Sequence, residues 1–246
     1  MSELGGKAAL VTGGSRGIGA AIALRLAELG ADVAITYVNA EERAHEVAEQ
    51  IRAHGRRGVV IAADSADAAA VIGAVDQTKE EFGRLDILVN NAGVYRYGLI
   101  DDVSLEDVDL TLGIHTRAVY LASQAAVRHM TRGGRIISIG SSLSERVPYP
   151  GMALYSMSKS ALTGFTRGLA RDVGERGITA NLVHPGSTDT DMNPADGETA
   201  ADEIALIPLG RYGDPADIAN TVAFLAGPGG RQITGASITV DGGSNA

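Results

Sequence analysis

Ala8-Ala-Leu-Val-Thr12-Gly-Gly-Ser-Arg-Gly-Ile-Gly19 is the stretch that decides the fold. A short apolar run passes directly into a glycine-rich turn, and the turn into a helical pattern. Gly13, Gly14, Gly17 and Gly19 let the backbone turn tightly and come close to an anion, while the first N–H groups of the following helix point at it. The spacing is Gly-x-x-x-Gly-x-Gly rather than the Gly-x-Gly-x-x-Gly of the standard dinucleotide fingerprint, so the flanking strand and helix carry much of the reading. They describe a pyrophosphate cradle, with Gly13, Ser15, Arg16, Gly17, Ile18 and Gly19 as its candidate contacts.

Outward from this unit, short strand-like runs alternate with longer helical patterns, the signature of βαβ units and a parallel sheet. The runs are residues 8–12, 32–37, 58–62, 85–89, 135–139, 178–183 and 236–240. Seven strands with helices between them predict an α/β, Rossmann-type fold: a doubly wound parallel sheet with helices on both faces. The clearest helices are 18–29, which Gly30 should terminate, and 40–54, which Asn39 should N-cap. No linker or repeat divides the chain, so one NAD(P)-binding domain over residues 1–246 is expected. Its least regular stretch, about 187–210, is rich in Asp, Pro, Gly and Ala. It reads either as a mobile substrate lid or as a plain surface excursion.

The 246 residues carry a formal net charge of −9 and no cysteine. The charge argues against a broad nucleic-acid or anionic-membrane surface and leaves small molecules as the expected partners. Without cysteine there is neither disulfide nor thiol chemistry. The N-terminal residues run straight into a strand, with no charged segment leading an apolar one, and no apolar run is long enough to span a bilayer. A cytoplasmic location is the default expectation.

Tyr155-Ser-Met-Ser-Lys159 supplies the chemistry. Residues four apart on a helix share a face, so the Lys159 ammonium can approach the Tyr155 phenol. A neighbouring cation favours phenolate and should lower the tyrosine pKa from ~10 toward working pH. The cofactor follows from charge. An NAD site generally places a carboxylate at the end of the second strand, but that strand ends Thr36-Tyr37-Val38-Asn39, while Arg16 lies in the glycine loop. A guanidinium beside the adenosine ribose suits a 2′-phosphate. Tyr37 and Asn39 join Arg16 as candidate contacts, and NADP is favoured over NAD.

These residues resemble the short-chain dehydrogenase/reductase family, in particular carbonyl reductases of the 3-oxoacyl-carrier-protein reductase and polyhydroxynaphthalene reductase type. The likeness covers essentially the whole chain. It is carried by Thr12-Gly-Gly-Ser-Arg-Gly-Ile-Gly19, Asp64-Ser65, Asn90-Asn-Ala-Gly93, Gly140-Ser-Ser142, Tyr155-Ser-Met-Ser-Lys159, Asn181-Leu-Val-His-Pro-Gly186 with Thr188 and Thr190, and Ile233-Thr-Gly with Val240-Asp-Gly-Gly243. The resemblance implies that Asp64 and Ser65 flank the adenine. It places Asn91, Ala92 and Gly93 at the cofactor ribose, and Pro185, Gly186, Thr188 and Thr190 at the carboxamide and phosphates. It implies an NADPH-dependent oxidoreductase that acts on CH–OH groups, interconverting a ketone and a secondary alcohol. Tyr155 would donate a proton to the carbonyl oxygen, and Lys159 would lower its pKa and bind ribose hydroxyls. A serine would hydrogen-bond the same oxygen, worth roughly 3 kcal/mol in comparable sites. Counting from Gly134 along the strand selects Ser141, whereas counting back from Tyr155 selects Ser142. The strand fixes the site while the loop varies in length, so Ser141 is preferred and Ser142 is assigned to the substrate.

One position departs from the family. His115 stands where relatives carry an asparagine that helps hold a relay water beside the catalytic lysine. An imidazole of ordinary pKa near ~6.5 would titrate in the working range, so His115 is expected either to keep that water in place or simply to pack its helix. The remaining histidines lack metal-ligand spacing, and no metal is required. Leu143, Tyr149, Met152 and Tyr95 should line an apolar, aromatic-edged pocket for a medium-sized ketone, 3-oxoacyl or cyclic and polyketide-like. Arg132 and Arg176 fall where carrier-protein reductases of the family have docking arginines, which admits an acyl carrier protein as partner. The family's pairing of the Tyr155 helix across a two-fold axis implies a homotetramer, with Ala161, Gly164 and Gly168 suited to close packing there or within the monomer. A different class of function remains open: a catalytically impaired, cofactor-binding regulatory protein of the same fold.

Overall fold

The first strand of the computed structural model, β1 (Ala8–Val11), is buried along its whole length, as expected of a strand covered on both faces. Residues 2–246 are described. The other strands are β2 (Asp32–Tyr37), β3 (Gly58–Ala62), β4 (Ile87–Asn90), β5 (Arg135–Ile139), β6 (Thr179–Pro185) and β7 (Ser237–Val240). They form one seven-stranded sheet in the order β3-β2-β1-β4-β5-β6-β7, and every neighbouring pair is parallel. The order reverses between β1 and β4, so a crevice opens outside their carboxyl ends, where ligands of such folds bind.

Alternation along β1 divides the core. Ala9 and Val11 face helices α1 (Gly17–Glu28), α2 (Glu41–Ala53) and α8 (Pro215–Ala226), and pack with Ile22, Val47 and Val222. Leu10 points the other way, into α3 (Ala68–Phe82), α5 (Ala118–His129) and α6 (Ala153–Val173), with Val75, Ala126 and Val173. The expected doubly wound sheet with helices on both faces is what forms. Two short helices complete the set, α4 (Leu105–Leu112) and α7 (Ala200–Ile204), and a π-helical turn, Gly113–Arg117, joins α4 to α5. No described helix is long and apolar enough to cross a membrane.

The differences from the sequence reading lie at boundaries. Asn39 does not cap α2; Ala40 occupies that position, with no side-chain bond to the helix. β4 starts at Ile87 because Asp86 turns its carboxylate onto the Ala8 N–H (3.0 Å) and pairs with Lys7 and Arg84. α3 carries a true side-chain cap, Asp67 accepting from Ala69 N at 2.8 Å. α7 lies inside the 187–210 stretch, so the stretch is partly ordered into helix.

Candidate active site

The glycine loop is held in shape by Thr12 and Asn91. Thr12 Oγ1 accepts from the backbone N–H of Asn91 (3.0 Å) and Ala92 (3.1 Å), and Asn91 Nδ2 donates to the carbonyls of Thr12 and Gly13. A Cβ on Gly19 would sit 2.3 Å from the Gly13 carbonyl oxygen, so only glycine lets α1 start this close to the loop. Gly17 adopts φ +53, and a Cβ there would fill the gap toward Thr190, 3.3 Å from its methyl. No side chain caps α1, so its first N–H groups remain disposed toward an anion. A cradle that a single methyl would fill, closed by backbone donors and flanked by Arg16, fits the pyrophosphate and 2′-phosphate of a dinucleotide. Ser15 and Ile18 belong to the same loop. Tyr37 ends β2, and exposed Asn39 follows it. Asp64 folds a tight turn onto Ala66 N (2.8 Å) beside Ser65, past the end of β3.

The second half of the site lies at the ends of β4, β5 and β6. Ser141 leaves β5 in extended conformation, its hydroxyl accepting from Leu143 N at 3.2 Å, and Ser142 opens a 3-10 turn whose carbonyl holds Asn245 (2.9 Å). Across from them, the first turns of α6 present Tyr155 and Lys159. Lys159 is buried, donates to the Ile139 carbonyl at 3.0 Å, and lies 6.0 Å from the Tyr155 ring centroid. Gly93 brings the β4 loop against this group, since a Cβ there would lie 3.5 Å from Lys159 Nζ. Pro185 ends β6, Gly186 passes close over Asp241, and Thr188 turns its hydroxyl back to the Gly186 carbonyl (3.0 Å). The cofactor candidates thus follow the ends of β1, β2, β3, β4 and β6, while Ser141 follows β5 and Tyr155 and Lys159 stand in the first turns of α6.

The electrostatics correct one expectation. Tyr155 is raised to about 12, not lowered: burial disfavours its phenolate, and the nearby Ser141 hydroxyl only partly opposes that. Lys159 is lowered to about 8 for the same reason, burial of its ammonium. The ammonium is directed to the Ile139 carbonyl rather than the phenol, and the shared burial outweighs the helix-spaced attraction.

Of the two roles expected for His115, the geometry matches packing. Its Nε2 accepts from Val94 N (3.0 Å), so Nδ1 carries the proton and pairs with Ser158 Oγ (2.8 Å), which in turn donates to the Tyr155 carbonyl (2.7 Å). Burial and the Lys159 charge push its pKa down to about 3. The imidazole is neutral through the working range, and both nitrogens are committed, leaving none for a relay water. What it does is join the β4 loop to α6, with its ring 5.6 Å from the Tyr155 ring, edge to face.

An aromatic wall adjoins Tyr155. Tyr95 meets Tyr155 edge to face at 5.3 Å and donates to Met152 Sδ (3.4 Å), while Tyr97 packs on Gly151. Leu143 lies in the 3-10 turn after β5, and Tyr149 feels the charges of Glu203 and Asp202 on α7. Sequence reasoning missed Glu203 of α7. Burial works against its carboxylate, yet hydrogen bonds from Ser187 (2.5 Å), Asn193 (2.9 Å) and Thr199 (3.1 Å) keep it below the usual range. It also missed His184, fully buried under Ser141, whose Nδ1 lies 2.9 Å from the Ser141 carbonyl oxygen. Arg176 gives its guanidinium to the Val127 and Met130 carbonyls, and Arg132 lies across Gly177.

A family model described as enoyl-(acyl carrier protein) reductase matches residues 13–245. A short-chain dehydrogenase from Burkholderia cenocepacia J2315, solved in complex with NADP, is 60% identical, with a TM-score of 0.98 over 99% of this chain and 100% of that one. The cyclic-di-GMP-binding biofilm dispersal mediator protein of Escherichia coli (strain K12) is 45% identical over 98% of both chains. A versicolorin reductase of Emericella nidulans is 41% identical over 98% of this chain and 97% of its own.

Proposed function

The chain belongs to the short-chain dehydrogenase/reductase family, and on that premise we propose that it is an NADPH-dependent reductase interconverting a ketone and a secondary alcohol. One observation carries the reading: the buried Lys159 ammonium lies 6.0 Å from the Tyr155 ring on the same helix, with the Ser141 hydroxyl close enough to the phenol to influence its ionisation. Arg16, the glycine loop, Thr188 and Thr190 would hold NADPH, which supplies a hydride when bound. The phenol, protonated across the working range, gives its proton to the carbonyl oxygen as negative charge develops there. Ser141 donates a second hydrogen bond to that oxygen. Lys159 resupplies positive charge next to the tyrosinate and offers donors to ribose hydroxyls.

The wall of Tyr95, Tyr149, Met152 and Leu143 supports a flat, medium-sized ketone, the class to which relatives named as versicolorin and tetrahydroxynaphthalene reductases point. An acyl carrier is supported less, because Arg176 is already engaged. A homotetramer is supported by α6. Met157, Ala161, Gly164 and Gly168 lie exposed along it, and a Cβ on either glycine would meet nothing within 4 Å. Light scattering should give four chains per particle.

The test records NADPH oxidation over a panel of cyclic and open-chain ketones, for wild type and Tyr155→Phe. The variant should lose about a thousandfold in kcat/KM while retaining its NADPH Kd, since proton transfer and its electrostatic stabilisation are both removed. Activity that survives in Tyr155→Phe overturns the mechanism. A wild type that binds NADPH and reduces no ketone favours the regulatory reading, which the likeness to a cyclic-di-GMP-binding protein supports; binding of that nucleotide is then measured directly.

A further inference from the structure

The lid carries a carboxylate into a pair of guanidinium groups. Thr190 and Asn193 bond each other through both backbone N–H groups, at 3.3 and 3.0 Å, so Asp191 and Met192 project from a closed turn. Asp191 Oδ2 pairs with Arg43, in the first turn of α2, and lies 3.7 Å from Arg16 in the glycine loop. The Arg43 contact, helped by Arg16, holds the Asp191 carboxyl below the usual range. All three side chains are more than half exposed, so no core packing forces them together. Of the acids on α2, Glu41 lies beside Tyr37 and 3.9 Å from His45.

Two guanidinium groups converging on one carboxylate oxygen, Arg43 in hydrogen-bond contact and Arg16 at 3.7 Å, suit an anion with several acceptor oxygens better than a lone carboxylate. The end of β2 and its following residues, Tyr37-Val38-Asn39, add no negative charge. Building on the NADPH reading above, we propose that Arg43 joins Arg16 in binding the adenosine 2′-phosphate, and that Asp191 is a resident competitor which this phosphate displaces. A phosphate monoester carries more charge than a carboxylate and three strong acceptor oxygens, so it takes the pair. NADH brings no such group and leaves Asp191 in place. Displacement frees the 190–193 turn, and the Asn193 bond to Glu203 (2.9 Å) ties that turn to α7. Recognition of the 2′-phosphate is thereby linked to the lid.

Equilibrium binding of NADPH, NADH and 2′,5′-ADP to wild type, Arg43→Ala and Asp191→Asn tests this, with no turnover involved. Arg43→Ala should weaken NADPH and 2′,5′-ADP about tenfold and NADH less than about twofold, the loss of one charge-assisted contact. Asp191→Asn should tighten both phosphorylated ligands about threefold or more and leave NADH unchanged. Arg43→Lys, which keeps the charge but not the fork, should fall between and serves if Arg43→Ala melts early. An Arg43 variant that shifts NADPH and NADH equally, or neither, overturns the proposal while a wild-type preference for NADPH leaves the parent reading standing. A wild type without that preference removes both.

Discussion

At the scale of single residues, the site separates what spacing can show from what burial decides. The four-residue step from Tyr155 to Lys159 was legible because helix geometry alone puts them on one face. The direction of the tyrosine's pKa was not, because it depends on Tyr95, from the loop after β4, packing against the Tyr155 ring, a contact between elements far apart in sequence. Arg43 and Asp191 stand 148 residues apart, with no motif to link them. The Lys159 value carries a consequence. A lysine lowered to about 8 is cationic below that pH and neutral above it, and its cation supports the tyrosinate formed on proton donation. The kcat/KM for carbonyl reduction, which reports the free enzyme's essential groups, should therefore hold on the acid side and fall about tenfold per unit as pH rises well past about 8. A profile flat to pH 10 would remove Lys159 from that role.

Elements show a similar division. β2, β3 and β5 form over the residues their apolar runs suggest; β2 and β5 are buried along most of their length, while β3, at the sheet edge, is only partly buried. The π turn at 113–117 had no sequence signal, because the extra residue there serves His115 reaching Val94 and Ser158, a tertiary demand. The start of α2 shifted for a related reason: with Ala40 as cap, Asn39 is left exposed past β2. Two glycines make the contrast between loop and helix testable. Gly73 lies exposed inside α3, and a methyl there would meet nothing within 4 Å. Gly73→Ala should stabilise the fold by about 0.5–1 kcal/mol through helix propensity and a less free unfolded chain. Gly19→Ala drives a methyl into the Gly13 carbonyl, and should both lower Tm and weaken NADPH binding at least about tenfold, because the cradle must deform to admit it. Thermal melts and cofactor titrations of the two variants check the pair; equal behaviour would mean that the loop does not set the start of α1.

For the whole molecule, the buried histidines connect the site to acid stability. His115 falls to about 3 in the folded chain, and His184 is lowered too, in both cases first through burial. An unfolded histidine titrates near ~6.5. Between the two values the unfolded chain binds a proton that the folded chain refuses, so stability rises with pH across that window and is lost as pH falls below about 6.5. Asp86 acts in the same direction lower down. Burial opposes its ionisation, but Arg84, Ala8 N and Lys7 hold it below the ordinary carboxylate range, so its contribution is present above the unfolded value and disappears as pH drops through the folded one. Taking His115 alone, moving from pH 7 to pH 5 should cost about 2 kcal/mol, at ~1.4 kcal/mol per pH unit below 6.5. Urea unfolding at the two pH values, on wild type and His115→Asn, isolates it. The asparagine variant has no proton to take up at this position, so its loss between pH 7 and 5 should be smaller than wild type's by that amount. If both lose the same, the neutral, fully bonded imidazole described between Val94 and Ser158 is not the state that the folded chain protects.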